Sequence, residues 1–387
     1  MSPSGKNISN IFFGNPDIAS KAKSRFVSYY MSIYFNIISK MTNEIHYLDF
    51  FSGPGKFKDG TLTVPLNVLK STKDINGISY FFNDLYQIES LKNNIINSNF
   101  KNSLNKCIFS SDDCSIKDMS KYIPKTGAII SYVDSFSHLL SNTDFIAKLI
   151  EPSYSDCVLF INFDNIIRHY MNEKEKKHFL IFFGSEAHFE KMKQDVLCND
   201  KYKWDAKVHL LLKDYVDRLS KEIKRQIFCL PVFFKSSNEA SNTSHVILII
   251  SKNKKGIIRV RESFSPKKYY ELDDTLKNSY FNIRKSSFVV FEENPFQTRL
   301  FDYNELYYEE ILEYININEE NAVNIDQLLD IIDEKFQLTN KYCCAFSKKY
   351  VKEALHYLEK NEKIKIKCIG KRNNNCFNKN VLIYKEI

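Results

Sequence analysis

The stretch IHYLDFFSGPGKFKDG, residues 45–60, decides the fold of this chain. Apolar residues alternate from Ile45 and stop at Asp49, and a glycine turn follows at once. This pattern is typical of a buried strand that ends in an acid and opens into a loop. Glycine in such a loop lets the backbone approach a ligand, because glycine has no Cβ. The stretch therefore predicts the first strand of an α/β sheet, with a ligand crevice at its carboxyl end.

Two common phosphate-binding loops do not match this turn. A Walker A loop has four residues between its glycines and ends in Gly-Lys-Ser/Thr. Here a single residue separates Gly53 from Gly55, and Phe57 follows Lys56. The dinucleotide pattern G-x-G-x-x-G also fails, because Lys58 stands in the place of its third glycine. The loop is therefore predicted to bind neither a kinase-type phosphate nor a dinucleotide.

The first 163 residues alternate short apolar runs with helical patterns. After a helix over 17–41, we predict strands at 45–50, 78–83, 106–110, 128–134 and 157–163, and helices near 65–72, 85–98, 115–122 and 141–150. Near-continuous apolar strands separated by helices indicate a parallel sheet that is covered on both faces.

The pattern changes after the fifth strand. Helical sequence fills 165–225, and two apolar strands follow at 227–234 and 245–251. The polar loop between these strands is too short for a helical crossover, so we predict an antiparallel pair. Five parallel strands completed by an antiparallel hairpin are typical of the class I methyltransferase sheet. The predicted fold class is thus α/β, with a methyltransferase-like, Rossmann-type sheet and a helical insertion, over residues 1–293.

The remaining residues, 294–387, predict a second domain. Three helical patterns, near 305–316, 324–335 and 347–361, precede strands at 363–369 and 381–386, and this order predicts a C-terminal winged-helix domain. Basic residues stand at the start of the third helix and in the tip between the strands, and we expect them to contact phosphates: Lys348, Lys349, Lys371 and Arg372. The alternative is a unit that only docks on another protein surface.

Composition narrows the classes of protein. Hydrophobic residues make up 43% and charged residues 26% of the 387, as in ordinary globular proteins. The formal net charge of +8 is compatible with a nucleic-acid partner.

The nine cysteines form no C-x-x-C pair, which favours reduced thiols over a zinc site or disulfides. No apolar run reaches the roughly 18 residues of a membrane span, and no apolar signal core opens the chain, so we expect a cytoplasmic protein without a membrane partner.

The glycine turn fits a different cofactor. Residues 49–55 read D-x-F-x-G-x-G, an acid followed by a glycine turn, as in S-adenosylmethionine-dependent methyltransferases. In those enzymes the turn contacts the amino-acid part of the cofactor. We therefore expect Asp49, Ser52, Gly53 and Gly55 to bind S-adenosylmethionine.

Acids after the next two strands complete this prediction. Asp84 ends the second strand, where an acid binds ribose hydroxyls in related folds. In the loop after the third strand, Asp112 and Asp113 are placed to bond the adenine amino group, and Asp113 is the residue we expect there. The three loops lie at successive strand ends, so one ligand could contact all of them.

The loops after the fourth and fifth strands predict the acceptor side. Asp134 could orient an acceptor amine, and Phe136 could stack on its base. Asn162 would line the same pocket, and the fork of Arg168 suits a phosphate. The alternative for the second loop is a helix cap at Asp164 or Asn165 with a surface arginine. No cysteine stands in the loop after the fourth strand, which argues against cytosine C5 methylation.

Several stretches together resemble one known family. They are IHYLDFFSGPGKFKDG (45–60), VPLNVL (64–69), SYVDSFS (131–137), CVLFINFDNIIRHY (157–170), FFGS (182–185) and HVILIISKNKKG (245–256). The resemblance is to the three-Cys-motif partner proteins and covers about residues 20–365. It implies a bacterial protein with a methyltransferase-like domain and a winged helix. It also implies a cysteine-rich, radical-SAM-like partner protein and a setting in phage defence or a mobile element.

The sequence departs from this family at two loops. The family pattern Gly-Ser-Pro-Leu is replaced by Thr-Val-Pro-Leu at 63–66, and Asp-Pro-Phe/Tyr-Gly by Asp-Ser-Phe-Ser at 134–137. Two hypotheses follow. The first is an S-adenosylmethionine-dependent methyltransferase-like protein that acts on nucleic acid. The second, favoured by the altered second loop, is a non-catalytic adaptor that binds nucleic acid and the cysteine-rich partner.

Overall fold

The structure is a computed structural model of the chain. It describes residues 13, 18–134, 138–223, 227–235, 243–253, 256–257, 311–312, 315, 319–336, 348–369, 377 and 380–385. The chain divides into two compact units, Met1–Lys254 and Lys255–Ile387. The boundary expected between residues 293 and 294 lies outside the described residues and stays a prediction.

A seven-stranded mixed sheet forms the centre of the first unit. Its strands are β1 (Ile45–Asp49), β2 (Ile78–Asn83), β3 (Cys107–Ser110), β4 (Ala128–Val133), β5 (Asp156–Asn162), β6 (Phe228–Lys235) and β7 (Thr243–Ser251). The strand order is β3-β2-β1-β4-β5-β7-β6. The first five strands are parallel, and β7 runs antiparallel to both of its neighbours. This is the order of the class I methyltransferase sheet, so that part of the predicted fold is confirmed. The order reverses between β1 and β4, where sheets of this type bind ligands.

Helices cover both faces of the sheet. They are α1 (Ile18–Ile38), α2 (Val64–Thr72), α3 (Ile88–Ile96), α4 (Thr143–Ile150), α5 (Phe163–His169), α6 (Lys176–Phe183), α7 (Glu186–Met192) and α8 (Trp204–Ile223). Helix α1 lies on one face, where the Tyr34 hydroxyl donates to the Ile129 carbonyl at 3.2 Å and the Tyr30 hydroxyl to Asp156 at 2.7 Å. The opposite face packs into a large apolar core with α4, α6 and α8. Asp49, Tyr132 and Asp134 belong to the side that α1 covers.

The structure corrects one of the helix predictions. A helix over 115–122 is wrong, because this stretch forms a turn and a short 3-10 helix, Met119–Tyr122. The side chains of Asp113 and Asp118 accept hydrogen bonds from the backbone N–H of Ser115 and Ser120, and these local bonds favour two short turns over one helix.

The helical insertion is confirmed, but it is broken into α5, α6, α7, a π-helical turn at Lys193–Leu197, and α8. Helix α6 ends at Gly184, whose φ of +80° is the left-handed conformation that commonly ends helices. Ser185 then caps α7 by accepting from the His188 N–H.

The described part of the second unit contains two helices and a hairpin. They are α9 (Ile325–Phe336), α10 (Lys348–Lys360), β8 (Lys365–Cys368) and β9 (Val381–Tyr384). Strands β8 and β9 are antiparallel, and Val323 forms an antiparallel bridge with Ile383 of β9. The predicted helix near 305–316 falls mostly outside the described residues. Within the described residues, no helix is both long and apolar enough to cross a membrane.

Candidate cofactor and acceptor site

Asp49, at the end of β1, is fully buried. It accepts hydrogen bonds from the Tyr47 hydroxyl at 2.9 Å and from the Phe51 N–H at 3.2 Å. Burial raises the pKa of Asp49 to about 7 in spite of these two bonds, and the nearby carboxylates of Asp134 and Asp84 add to the rise. Asp49 is therefore a buried residue that stabilises the glycine turn. Its side chain does not face the cleft that lies at the carboxyl ends of β1 and β4.

Both glycines of the turn have the left-handed backbone that glycine adopts most easily, with φ of +63° at Gly53 and +82° at Gly55. A Cβ on Gly55 would lie 2.6 Å from Leu91 Cδ1 and 2.7 Å from Leu66 Cγ. Gly55 is thus required for close packing between α2 and α3. The Ser52 side chain also lies in the turn, and its hydroxyl donates a hydrogen bond to the Asp49 carbonyl at 3.1 Å.

Gly53 is in contact with Phe13, which precedes α1 in the chain. A Cβ on Gly53 would lie 2.4 Å from Phe13 Cζ, so the ring is packed directly on the glycine. The Phe13 carbonyl accepts from the Lys58 N–H at 3.1 Å, and its ring centroid is 6.1 Å from that of Phe57. The face of Gly53 on which a cofactor was expected therefore carries an aromatic side chain of the protein itself.

Asp84 follows β2 and binds backbone on two sides. Its Oδ2 accepts from the Gly53 N–H at 2.9 Å, and its Oδ1 accepts from the N–H groups of Tyr86 at 2.9 Å and Gln87 at 2.8 Å. It joins the glycine turn to the start of α3. A carboxylate has about four acceptor positions, so three bonds leave capacity for a ribose hydroxyl.

The loop after β3 is held in place by its own side chains and by Asn83. Asp113 Oδ1 accepts from the backbone and the hydroxyl of Ser115 at 2.8 and 2.7 Å. A hydrogen bond from Lys121 and, to a smaller extent, one from Tyr122 lower the pKa of the Asp112 carboxyl. Buried Asn83 donates to the carbonyl of Asp112 at 3.1 Å and accepts from its N–H at 3.0 Å. Sequence reasoning missed Asn83, although a polar residue ending the apolar run ISYFFN was the available signal.

Asp134, which follows β4, is paired with a lysine from α1. Its Oδ2 accepts from Lys23 Nζ at 2.7 Å and from the Tyr132 hydroxyl at 2.7 Å. The two paired side chains are only 13% and 16% exposed. Lys23 Nζ also lies 4.0 Å from the centroid of the Phe160 ring. Lys23 was not among the predicted site residues, and Phe136 lies outside the described residues.

A small cleft lies among these groups, at the carboxyl ends of β1 and β4. Its volume is about 50 Å³, and it is lined by Phe13, Ser20, Lys23, Ser24, Phe51, Ser52, Phe57, Thr63, Val64, Pro65, Tyr132 and Asp134. Among the described residues the cleft offers space for water-sized molecules, and the Phe13 ring borders it. Ser24 Oγ and Thr63 Oγ1 are buried without a hydrogen-bond partner among the described residues. Such hydroxyls are costly to bury and available to a ligand.

The loop after β5 contains a helix cap and a surface arginine, as the alternative prediction expected, but the capping residue differs from the predicted one. The cap is Asn162 itself, whose Oδ1 accepts from the Asn165 N–H at 3.0 Å, and neither Asp164 nor Asn165 has that role. Arg168 Nε donates to Asp164 at 2.7 Å, and the guanidinium lies 5.4 Å from the Trp204 ring centroid. Roles for Asn162 and Arg168 in binding stay predictions.

His138 follows the loop after β4 and is buried. Burial is the main cause that lowers the pKa of His138 to about 4, and the nearby His178 lowers it further. Its ring packs edge-to-face on Phe182, with 5.6 Å between the centroids. A neutral, packed imidazole of this kind supports the helical insertion and is not placed to act as an acid or base in the cleft.

The predicted contacts of the second unit are only partly described. Lys348 and Lys349 begin α10, as expected from the sequence. Lys371 and Arg372 lie outside the described residues, between β8 and β9. Their contacts with phosphates stay predictions.

The described groups suit a small organic ligand better than a metal ion. No set of three His, Cys, Asp or Glu side chains that could hold a metal occurs within the described ranges. The hydroxyls of Ser24 and Thr63, which have no partner among the described residues, suit a carboxylate. They match the carboxylate of S-adenosylmethionine, whose nucleoside would require Phe13 to move from Gly53.

Comparison with known proteins finds only remote structural likenesses. No protein-family model and no curated protein sequence matches the chain. An S-adenosylmethionine-dependent methyltransferase from Clostridium acetobutylicum is 12% identical, with a TM-score of 0.31 over 64% of this chain and 99% of that one. The methyltransferase subunit of a type I restriction-modification system from Streptococcus thermophilus is 11% identical, with a TM-score of 0.31 over 62% and 44%. The small RNA methyltransferase HEN1 is 11% identical, with a TM-score of 0.32 over 59% and 26%.

These values are too low to support an inference about activity or substrate, and the chain spans less than half of the last two proteins. The order and directions of the seven strands are the stronger observation. On that ground the first unit has the class I methyltransferase-like fold.

Proposed function

We propose that the protein binds S-adenosylmethionine in the cleft beside Gly53 and methylates an amino group of a nucleic acid. The observation that carries this proposal is the pair of buried hydroxyls, Ser24 and Thr63, which line the cleft at the switch point of the sheet and have no hydrogen-bond partner in the part of the chain that the structure describes. When bound, the cofactor supplies a methyl group made electrophilic by its positively charged sulfur.

The residues of the cleft have distinct roles in holding the cofactor. The hydroxyls of Ser24 and Thr63 donate to its carboxylate. Ser52 and Gly53 form the backbone wall of the crevice, and Asp84 accepts from the ribose hydroxyls with its remaining capacity. Asp113, in the loop after β3, accepts from the adenine amino group. Asp49 and Gly55 keep the turn in shape.

Asp134 is the residue proposed to handle the acceptor. Its carboxylate accepts a hydrogen bond from the amine and orients it. The carboxylate of Asp134 would take the proton that the amine loses when its nitrogen receives the methyl group and the carbon–sulfur bond breaks, which releases the cofactor as a neutral thioether. Phe136 is proposed to stack on the base, and Asn162 to line the pocket beyond it.

The second unit is proposed to be a winged helix that binds the nucleic-acid backbone. Its order of helices followed by a hairpin supports this, as does the Val323–Ile383 bridge, which adds a third strand position beside the hairpin. Lys348 and Lys349 at the start of α10, and the tip between β8 and β9, would contact phosphates. Such contacts contribute affinity without reading sequence.

The biological setting is proposed from the sequence resemblance. Membership of the three-Cys-motif partner family would make a cysteine-rich, radical-SAM-like protein the expected partner. It would also place the protein in bacterial phage defence or in a mobile element. The support consists of the motifs at 45–60 and 157–170.

A second candidate function is a non-catalytic adaptor that keeps the fold and binds nucleic acid. Two observations favour it. The ring of Phe13 covers Gly53, and Lys23 neutralises Asp134. An adaptor would retain both contacts permanently and would not bind the cofactor.

Thr63→Val separates these functions, because valine has the shape of threonine without its hydroxyl. In the protein without ligand, Thr63 Oγ1 has no partner among the described residues, so the variant should melt at the same temperature as the wild type or higher. Binding of S-adenosylmethionine, followed by fluorescence titration, should weaken about tenfold, since a hydrogen bond to a charged group is lost. Thr61→Val, in the exposed loop of the same turn, is the matched control.

Transfer itself is tested with tritiated S-adenosylmethionine and mixed DNA and RNA. Label in nucleic acid that disappears with Asp134→Ala supports the methyltransferase. Binding of nucleic acid without any label or cofactor binding would establish the adaptor instead.

A further inference from the structure

The ammonium group of Lys23 lies in an environment that would suit a bound amine. It donates to Asp134 Oδ2 at 2.7 Å and lies over the Phe160 ring at 4.0 Å. A carboxylate accepts hydrogen bonds from an amino group, and an aromatic face binds a cation such as Lys23 or stacks on a nucleobase. The position also borders the cleft, because Lys23 and Asp134 both line it.

The parts of this environment come from three separate elements. Asp134 follows β4, Phe160 lies in the neighbouring strand β5, and Lys23 reaches in from α1. Tyr132 donates a second hydrogen bond to Asp134 at 2.7 Å and thereby holds the carboxylate. The Phe160 ring also stacks on the ring of His245, with 5.0 Å between the centroids. Asp134 and Phe160 thus each have a contact that does not involve Lys23. Lys23 is the member of this group with a long, flexible side chain.

We propose that Asp134 and Phe160 form a subsite for the exocyclic amino group of a nucleobase, and that Lys23 occupies this subsite until such a base displaces it. This names the substrate class of the proposed function, and it rests on that function only for the choice of nucleic acid as the ligand. Lys23 is a specificity determinant under this proposal. Bases with an amino group, such as adenine and cytosine, can replace its hydrogen bond to Asp134, whereas thymine has no amino group.

The competition has a measurable consequence. A partly buried ion pair in contact with an aromatic ring must be broken before the base binds, so removing Lys23 should favour amino-bearing bases. Loss of one positive charge weakens binding to every strand equally. The informative quantity is therefore the ratio of the affinities for two strands of the same length and charge.

The experiment measures binding of the full chain to single-stranded (dA)12 and (dT)12 by fluorescence anisotropy at one salt concentration. Lys23→Met should raise the ratio of (dA)12 to (dT)12 affinity about five- to tenfold over the wild type. Lys23→Arg keeps the ion pair and should leave the ratio unchanged. The matched control is Lys92→Met, which removes a lysine that is paired with Glu89 and lies 5.5 Å from the Phe109 ring.

A purely structural ion pair gives a different result. It predicts that Lys23→Met lowers the melting temperature and leaves the ratio as it was, and that result would overturn the proposal. If Lys23→Met does not fold, Phe160→Leu decides, because it keeps the ion pair and removes the ring. The ratio should then fall toward one, and an unchanged ratio would overturn the proposal. Neither ratio depends on S-adenosylmethionine, so failure to bind the cofactor remains a separate outcome.

Discussion

Phe13 and Gly53 are packed against each other so closely that a Cβ on the glycine would lie 2.4 Å from the end of the aromatic ring. The contact explains a glycine at this position without any ligand, because no other residue leaves room for the ring. It also means that a cofactor bound on the turn has to displace Phe13. Phe13 and the cofactor would thus compete for the same surface of Gly53.

Gly53→Ala tests the packing half of this relationship. The new methyl group would overlap the Phe13 ring, and φ of +63° is strained for alanine, so we expect a loss of about 1–3 kcal/mol in the free energy of unfolding. The double variant Phe13→Ala/Gly53→Ala should recover part of that loss in urea denaturation, because the ring is gone and only the backbone strain remains. Strictly additive losses would show that the two residues are not in contact.

Asp49 predicts a dependence of stability on pH. The pKa of its carboxyl is raised from an ordinary 3.8 to about 7 in the folded protein, mainly by burial. The folded state therefore holds a proton that the unfolded state releases above pH 4, and the stability that this proton contributes is lost as the pH rises from about 4 through about 7.

Asp49→Asn removes this titration. Relative to the wild type, the variant should gain about 1.4 kcal/mol of free energy of unfolding for each pH unit between pH 5 and about pH 7, and little more between pH 7 and pH 8. Chemical denaturation at pH 5 and pH 8 measures the difference. Asp144→Asn alters an exposed carboxylate that is paired only with Lys148, and it should show no comparable trend. A flat difference for Asp49→Asn would contradict the burial argument.

Asn83 should be more important for stability than its place in an apolar strand suggests. Its amide donates to the carbonyls of Phe50 and Asp112 and accepts from the N–H of Asp112. Asn83→Leu removes all three bonds and leaves the Asp112 N–H only its bond to Ser110 Oγ and the Phe50 carbonyl only its contact with Cys114 Sγ, so we expect a loss of about 2–4 kcal/mol in the free energy of unfolding. Hydrogen exchange should become faster in the loops after β1 and β3. Unchanged exchange would show that other bonds hold these loops.

The tip between β8 and β9 should affect nucleic-acid binding through charge alone. Lys371→Glu/Arg372→Glu is expected to weaken binding of every sequence tested and to reduce the slope of log affinity against log salt by about 2. Lys101→Glu/Lys106→Glu makes the same change of charge in the first unit and is the control. Equal effects of the two double variants would mean that net charge, and not the tip, determines binding.

The order of the sheet could be predicted because its signal is strong and local. Strands such as ISYFFN and AIISYV are almost continuously apolar, and the short link between β6 and β7 excludes a crossover. The predicted helix at 115–122 was wrong because Asp113 and Asp118 make hydrogen bonds to backbone two residues ahead, and apolar periodicity does not register such bonds.

The cleft was harder to predict because its decisive contacts join residues far apart in the sequence. Lys23 meets Asp134 over 111 positions, and Phe13 reaches Gly53 from a segment without a recognisable pattern. The identity of Asp84 as the acid after β2 was correct, but its bond to the Gly53 N–H depends on how two loops pack. Residue type therefore indicated which groups lie at the strand ends, while packing determined which of them remain free.

Calorimetric titration of the purified full chain with S-adenosylmethionine tests the central claim most directly. We predict one binding site per chain in the wild type, and affinity about tenfold higher in Phe13→Ala, because the ring no longer has to be displaced from Gly53. Absence of binding heat in both proteins, at several temperatures, would contradict a cofactor site in this cleft.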